Sequence, residues 1–521
     1  MPTSVEAPQF DVFLSCCGSD RGQVRALAGA MRQIGIRVFL DEEIRRFSGI
    51  SDSIATALSS SKTLVAYYSA SYATRAACQY ELMTAFLAGQ REGNPLHRVL
   101  VINPEPNNRH LAPAELADAF FALPASTLGE LASLASDIKQ KILEIKTAIG
   151  EVGPLTRPGP RASDTFGFIG RYRELWDLHS SLSAPSFPLT HTWISNSIVS
   201  VCGLPGTGKS ALVAAYATRF HAAHPTGTRW TSLANTSSAD EAADKYTSTV
   251  ADFGSCCDSD RPGLLVVDDV PANFDFRTVD HLAPPAGLKI TLISNENIFD
   301  SLLPVIKLGP LELDDAITML SRNRPADNDD EAGALSKVAQ LVGCHPGALT
   351  TVVRHLKDRQ GLLSYTEYAR KILARTPLAA ELYAPFEGMI SRLDPDEQFM
   401  LHAALLTNSN VIPARLFSKL EQSDPGATLT RLRRRMIAKR DNTLWSFEQI
   451  IISAFRQLDD CLTVDQKTKN LVTCAIIDLM TDPEISAEEW CCLAEISNCL
   501  TRSDSDVSDV PPPSAKAARF H

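Results

Sequence analysis

The stretch "SIVSVCGLPGTGKSALVAAYA" (197–217) is an apolar run, a glycine-rich turn and a second apolar run at helical spacing, and Gly203, Gly208, Lys209 and Ser210 in it satisfy the pattern G-x-x-x-x-G-K-[ST]. A turn of this kind aims backbone N–H groups at phosphate oxygens, and the helix that follows adds the positive end of its dipole. Lys209 is placed to reach β- and γ-phosphates and Ser210 to offer its hydroxyl to Mg²⁺, with Gly206, Thr207 and Ala211 completing the contact set. Downstream, "GLLVVDDV" (263–270) reads as an apolar strand ending in two acids. Asp268 would hold the metal or its water, and Asp269 would orient a water.

A second candidate is a single carboxylate. "AACQYEL" (76–82) sets Glu81 among small and apolar side chains. Cys78, Leu82, Ala85 and Phe86 fall at helical spacing and form a buried stripe with Glu81 at its rim. Taken on these residues alone, Glu81 reads as a half-exposed rim glutamate.

The elements that must position these groups alternate between strand and helix. Strands are expected at "FDVFLSCC" (10–17), "IRVFL" (36–40), "TLVAYYS" (63–69) and "RVLVINP" (98–104). Helices are expected at 21–35, at 51–61 with a serine N-cap, around Glu81, and at 128–150. Short apolar strands alternating with helices imply a parallel sheet covered on both faces, with ligands at the carboxyl ends of the strands. The fold class is therefore multidomain α/β. Residues 1–149 form one unit, a Pro- and Gly-rich linker spans 150–167, and the P-loop unit spans 168–308. A helical stretch follows at 309–389, then a region at 390–460 whose "RDN" suits the hairpin of a winged helix, a helical segment at 461–500, and a polar tail at 501–521 that reads as disordered.

Composition narrows the function classes. The net charge of −11 is spread without a strong basic block, which argues against a nucleic-acid or anionic-membrane binder. "RLRRRMIAKR" (431–440) reads first as a solvated face or an interdomain contact, with a transcription regulator as the lesser reading. Twelve cysteines occur without a C-x-x-C pair, so they read as reduced thiols of a cytoplasmic protein rather than as metal ligands. No leader pattern and no apolar run of about 18 residues is visible, so no membrane partner is expected.

Several motifs carry a resemblance. "FIGRYREL" (168–175), the P-loop, the Asp268 strand, "LGPLELDDAITML" (308–320) and "GCHPGAL" (343–349) resemble, in order and spacing, an NB-ARC domain, the nucleotide switch of STAND and NLR-like immune proteins. The resemblance implies ADP/ATP and Mg²⁺ as cofactors, base contacts from Phe168, Ile169 and Arg171, and packing of Pro346 near the adenine. It also implies exchange of ADP for ATP as the event that permits homo-oligomerisation. Two places differ from the family pattern: the strand "KITLISNEN" lacks the usual arginine, and Glu448 and Gln449 stand near the usual M-H-D.

Residues 9–150 resemble a TIR domain, on "FDVFLS", "IRVFLDEEIRRFSGISDSIATALSSS", "LVAYYSASYA" and "CQYEL". Some TIR domains are scaffolds; others cleave or cyclise NAD⁺, and these depend on a glutamate that Glu81 matches. The resemblance thus implies NAD⁺ as substrate, Glu81 as catalytic carboxylate, and Ser15, Cys16, Asp41, Ser48, Tyr72 and Ala77 around the substrate. Ala77 stands where many enzymatic members carry tryptophan, and Tyr72, Tyr80 or a residue from a neighbouring chain is expected to supply the missing wall. Near its helix N-terminus, Glu81 is expected to stay ionised. The expected whole is a nucleotide-switched immune or antiviral protein whose assembly activates TIR-domain NAD⁺ cleavage, with a separate sensor protein or ligand as trigger. The alternative is a non-enzymatic TIR scaffold under the same switch.

Overall fold

A computed structural model of the chain describes residues 8–43, 50–119, 121–150, 168–183, 197–274, 284–299, 302–358, 363–374, 376–407, 411–420, 424–458 and 466–502. Ser48, the linker from 151 to 167 and the tail from 503 to 521 lie outside the described residues. The chain divides into two compact units, residues 1–202 with 208–308, and residues 203–207 with 309–521.

The first unit opens with β1 (Phe10–Cys16), α1 (Arg21–Gln33), β2 (Val38–Leu40), α2 (Ile50–Ser59), β3 (Ser61–Tyr67), α3 (Ala70–Thr74), α4 (Ala76–Arg91), β4 (Val99–Ile102), α5 (Ala114–Asp118) and α6 (Leu128–Leu143). Its strands pair in parallel in the order β2-β1-β3-β4. The period of two along β1 sends Val12 and Leu14 to one face, among Leu27 and Met31 of α1 and Ile138 of α6. Phe13 goes to the other face, with Leu82 and Phe86 of α4. Burial on both faces explains why the strands read as unbroken apolar runs.

Helix α6 starts with a reciprocal cap: Thr127 Oγ1 accepts the Glu130 N–H at 3.2 Å, and the Glu130 carboxylate accepts the Thr127 N–H at 3.1 Å. Thr127→Ala removes half of this and is expected to cost about 1 kcal/mol. Thermal unfolding monitored by far-UV dichroism checks it.

The same unit continues with α7 (Tyr172–Ser183), β5 (Ile198–Cys202), α8 (Lys209–Arg219), β6 (Gly227–Ser232), α9 (Ala239–Gly254), β7 (Gly263–Val270), β8 (Leu288–Ser294) and β9 (Val305–Lys307). The sheet order is β6-β7-β8-β5-β9, again parallel throughout. Leu264 and Val266 of β7 share a cluster with Leu212 and Phe220, while Leu265 and Val267 face Tyr246 and Val250 of α9. The first of these clusters does not stop at the sheet. It runs through Leu175 and Trp176 of α7 to Leu82 and Phe86 of α4, so the two sheets share one continuous apolar core.

The second unit holds α10 (Leu313–Asn323), α11 (Asp329–Leu341), α12 (Pro346–Asp358), α13 (Tyr365–Leu373) and α14 (Pro377–Ile390). There follow α15 (Pro395–Thr407), β10 (Val411–Pro413), α16 (Ala414–Lys419), α17 (Pro425–Arg434), β11 (Ala438–Asp441), β12 (Leu444–Phe447), α18 (Gln449–Leu458), α19 (Gln466–Met480) and α20 (Ala487–Arg502). The three strands form an antiparallel sheet, β10-β12-β11, and Asn442 turns its hairpin with φ of 51°. In the basic run, Arg431 pairs with Asp394 at 3.1 Å and Arg435 with the fully buried Glu397 at 3.1 Å, which engages both in the packing of α17 against α15. Among the described residues no helix is long and apolar enough to cross a membrane.

Candidate functional site

Two sites lie at carboxyl edges of the two parallel sheets. At the first, β1 delivers Ser15 close to its carboxyl end, α3 carries Tyr72, and α4 carries Glu81 in its second turn. Ser15 Oγ donates to Glu81 Oε2 at 2.5 Å and lies 2.9 Å from the Tyr72 hydroxyl. Ser15, Tyr72 and Glu81 are 2%, 0% and 6% exposed, so the sequence reading of a rim position for Glu81 is corrected. The apolar stripe faces the first sheet as read, but α7 covers α4 from another side, which the local sequence of α4 does not announce.

Burial also decides the charge. Desolvation raises the Glu81 carboxyl to about 7, the Ser15 hydrogen bond opposes this, and the Asp41 carboxylate adds a smaller push upward. Burial therefore works against the expectation that the helix dipole would hold Glu81 ionised, and leaves the carboxyl only partly ionised at neutral pH. The Cys16 thiol is pushed up to about 12 by burial and by Asp41, so it is no nucleophile at neutral pH. Asp41 is engaged with Arg21 at 2.7 Å. Ala77 is exposed in the first turn of α4, and Tyr80 beside it is 55% exposed. Tyr72 is enclosed and tied to Ser15, so of the two tyrosines only Tyr80 is open to act as a wall.

At the second site, the glycine-rich turn leads from β5 into α8. Gly208 takes φ of 89° and frees the N–H groups at the start of the helix. Lys209 is 8% exposed; burial lowers its ammonium to about 8, and Nζ donates to Asn295 Oδ1 at 2.9 Å. Ser210 Oγ donates to Asp268 Oδ2 at 2.9 Å, and Ala211 follows it in the first turn of α8. A hydroxyl and a buried carboxylate side by side are the hard oxygen donors that Mg²⁺ takes alongside phosphate oxygens and water, so the residues fit that ion. Asp269 turns away: with φ of 56°, its carboxylate accepts from Ser232 Oγ at 2.7 Å on the exposed side of the sheet. Its N–H donates to Asp268 Oδ1.

Phe168 and Ile169 are half-buried before α7, and Arg171, at φ of 59°, pairs with Glu174 at 2.8 Å. Arg219, the last residue of α8, lies 5.3 Å from the rings of both Phe168 and Tyr172. Within the second unit, Gly203, Gly206 and Thr207 belong to the turn, and the Gly206 carbonyl accepts the Gly347 N–H at 2.9 Å. A Cβ on Gly206 would stand 2.9 Å from the His345 ring, so the turn needs glycine there. Pro346 begins α12 beside that contact. Glu448 is kept largely from solvent, which raises its carboxyl.

Sequence reasoning missed two participants. Asn295, at the end of β8, holds the P-loop lysine; its signal was the polar "SNEN" that closes an apolar strand. Gln79 accepts from the indole N–H of Trp176 at 2.8 Å across 97 positions, and nothing local signals this.

Residues 12–127 match the family model described as TIR domain. The comparison with curated proteins returned no match. Among solved structures, similarity extends to a STAND protein with a tetratricopeptide repeat sensor from Pyrococcus horikoshii, 14% identical over 65% of this chain and 48% of that chain, with a TM-score of 0.26. PCH-2 of C. elegans is 15% identical over 38% of this chain and 67% of that one (TM-score 0.28), and Cdc6p from Pyrobaculum aerophilum is 15% identical over 63% and 97% (TM-score 0.22). The chain thus spans about half the length of the first of these. Its carboxylate site lies within the stretch that matches the TIR domain model, and its phosphate site lies outside that stretch, at the P-loop turn that leads into α8.

Proposed function

We propose that this protein is a nucleotide-switched immune or antiviral effector in which ATP-driven assembly turns on NAD⁺ cleavage by the TIR domain, with Glu81 as the catalytic carboxylate. The observation that carries the reading is the Glu81 carboxyl itself, held by Ser15 at the carboxyl edge of a parallel sheet where a ligand would enter. Nicotinamide leaves NAD⁺ as a neutral molecule, taking the electron pair of the bond from its ring nitrogen to the ribose C1′, so no general acid is needed. Water then adds to C1′ and releases one proton. One carboxylate can orient the ribose hydroxyls and stabilise the cationic C1′ as the bond breaks. To do so Glu81 must be ionised and reachable; in the structure it is enclosed, and burial leaves its carboxyl only partly ionised at neutral pH. Activity therefore requires a change that opens the site, which is what a nucleotide-controlled assembly supplies.

The P-loop residues support the switch: Lys209 would meet phosphates, and Ser210 with Asp268 would hold Mg²⁺, which would offset phosphate charge when bound. Full-length protein forced into oligomers is expected to release nicotinamide from NAD⁺ steadily, and Glu81→Ala oligomers to release none. Oligomers that leave NAD⁺ intact over hours would instead mark a scaffold.

A further inference from the structure

Helix α7 lies between two partners. Toward the P-loop helix, its His179 Nδ1 is 3.2 Å from the Tyr216 hydroxyl of α8, and Arg219 lies over the rings of Phe168, just before α7, and Tyr172, its first residue. Toward the TIR domain, the ring of Trp176 meets Phe86 edge-on at 5.1 Å, and His179 Nε2 lies 2.9 Å from Gln90 Oε1. Ser180 donates to Glu115 of α5 at 2.8 Å. Trp176 and His179 are fully buried in this contact and Gln79 is 1% exposed, so it is a packed interface rather than a touching of surfaces.

One hydrogen-bonded thread crosses this interface and ends at the candidate carboxylate. The indole N–H of Trp176 can only donate, which fixes the orientation of the Gln79 amide: Oε1 accepts from Trp176 at 2.8 Å, and Nε2 donates to the Tyr72 carbonyl at 3.2 Å. The Tyr72 hydroxyl meets Ser15 at 2.9 Å, and Ser15 donates to Glu81 at 2.5 Å. Every member is at most 6% exposed. Buried polar threads of this kind hold a single arrangement, because a broken member leaves its neighbours unpaired away from water.

We propose that Trp176 is the docking anchor by which the P-loop domain holds the TIR domain shut: while it engages Gln79, Tyr72 and Ser15 keep Glu81 enclosed, and withdrawal of α7 releases α4 and opens the site. Trp176, Gln79 and Tyr72 are positioning residues in this scheme, and α7 is the helix that carries nucleotide state to them. The consequence for NAD⁺ cleavage rests on the reading of Glu81 given above, whereas the docking does not.

The test uses full-length protein with ADP. Trp176→Phe keeps a ring in place but removes the donor, and Gln79→Leu removes the acceptor. Amide exchange in the α4 peptide is expected to rise about 10-fold in each, with ADP-state nicotinamide release rising by a similar factor. The double variant replaces both partners with apolar groups, so it is expected to fold at least as well as either single variant and to show no additive effect. Unchanged exchange in α4 in the single variants would overturn the docking. Raised exchange with reduced nicotinamide release would overturn the shutting role, since the thread would then be positioning Glu81 for chemistry. Raised exchange with no NAD⁺ cleavage in any sample, forced oligomers included, would keep the anchor and remove the enzymatic reading.

Discussion

Glu81→Gln is expected to abolish NAD⁺ cleavage, by about 10³-fold or more, while leaving the TIR domain folded and more stable in alkali than the wild type. In the proposed reaction the loss of rate follows from removing the anion assigned to face the developing ribose cation; losing a single preorganised electrostatic contact commonly costs 10²–10³-fold. The gain in stability follows from burial. The Glu81 carboxyl titrates at about 7 in the folded chain against 4.5 for its ordinary value, because desolvation disfavours the anion. A group raised in this way binds more protons folded than unfolded between those two values, so its stabilising contribution is complete below about 4.5 and is lost as pH rises through about 7. Above that the wild type bears a penalty of about 3 kcal/mol from the buried anion, which the neutral amide avoids. Urea unfolding at pH 5 and pH 8 reads this directly: the two proteins should differ little at the lower pH, and the variant should be the more stable at the higher. The same titration predicts that residual cleavage by the closed wild type rises with pH through about 7, as the carboxylate forms.

The second large effect is at the phosphate turn. Lys209→Ala is expected to weaken ATP and ADP binding by about 10²-fold and to uncouple NAD⁺ cleavage from nucleotide altogether. The Lys209 ammonium is desolvated enough to fall to about 8, so a bound phosphate meets a cation that water does not screen. Charge-assisted hydrogen bonds in such places contribute about 1.5–3 kcal/mol each, and this lysine would make more than one to a polyphosphate. Asn295 loses its donor in the variant, but it is exposed and rebonds to water, so the domain is expected to keep its fold. Calorimetric titration with ADP·Mg²⁺ gives the affinity. A nicotinamide assay with and without ATP gives the coupling.

Much of this arrangement was legible in the sequence, for identifiable reasons. Strands of both parallel sheets stood out because they are buried on two faces and so form unbroken apolar runs, as "FDVFLSC" and "GLLVVDDV" do. Lys209, Ser210 and Asp268 were readable because their chemistry needs fixed spacing on a strand, a turn and a second strand. Glu81 was readable as a position but not as an environment. Its burial depends on Ser15, 66 residues earlier, and on α7 covering the far side of α4; neither leaves a periodic trace near residue 81. The pairing of Asp269 with Ser232 was unreadable for a related reason. The sequence shows two adjacent acids, while the positive φ of the second, whose carboxylate accepts from Ser232, falls within a register shift of the β7–β8 pairing between Val267 and Val270. Trp176 and Gln79 each look like ordinary helical residues until the fold brings them together.

The central claim is that nucleotide state, assembly and Glu81 chemistry form one sequence of events. Its most direct test follows nicotinamide release and particle mass together in one sample of full-length protein as ADP is exchanged for ATP. The account predicts that release rises many-fold above its residual level only as mass rises above the monomer, in wild type but not in Glu81→Gln, with Glu81→Gln assembling normally. Release from the monomer at an undiminished rate, or release that persists in assembled Glu81→Gln, would contradict it.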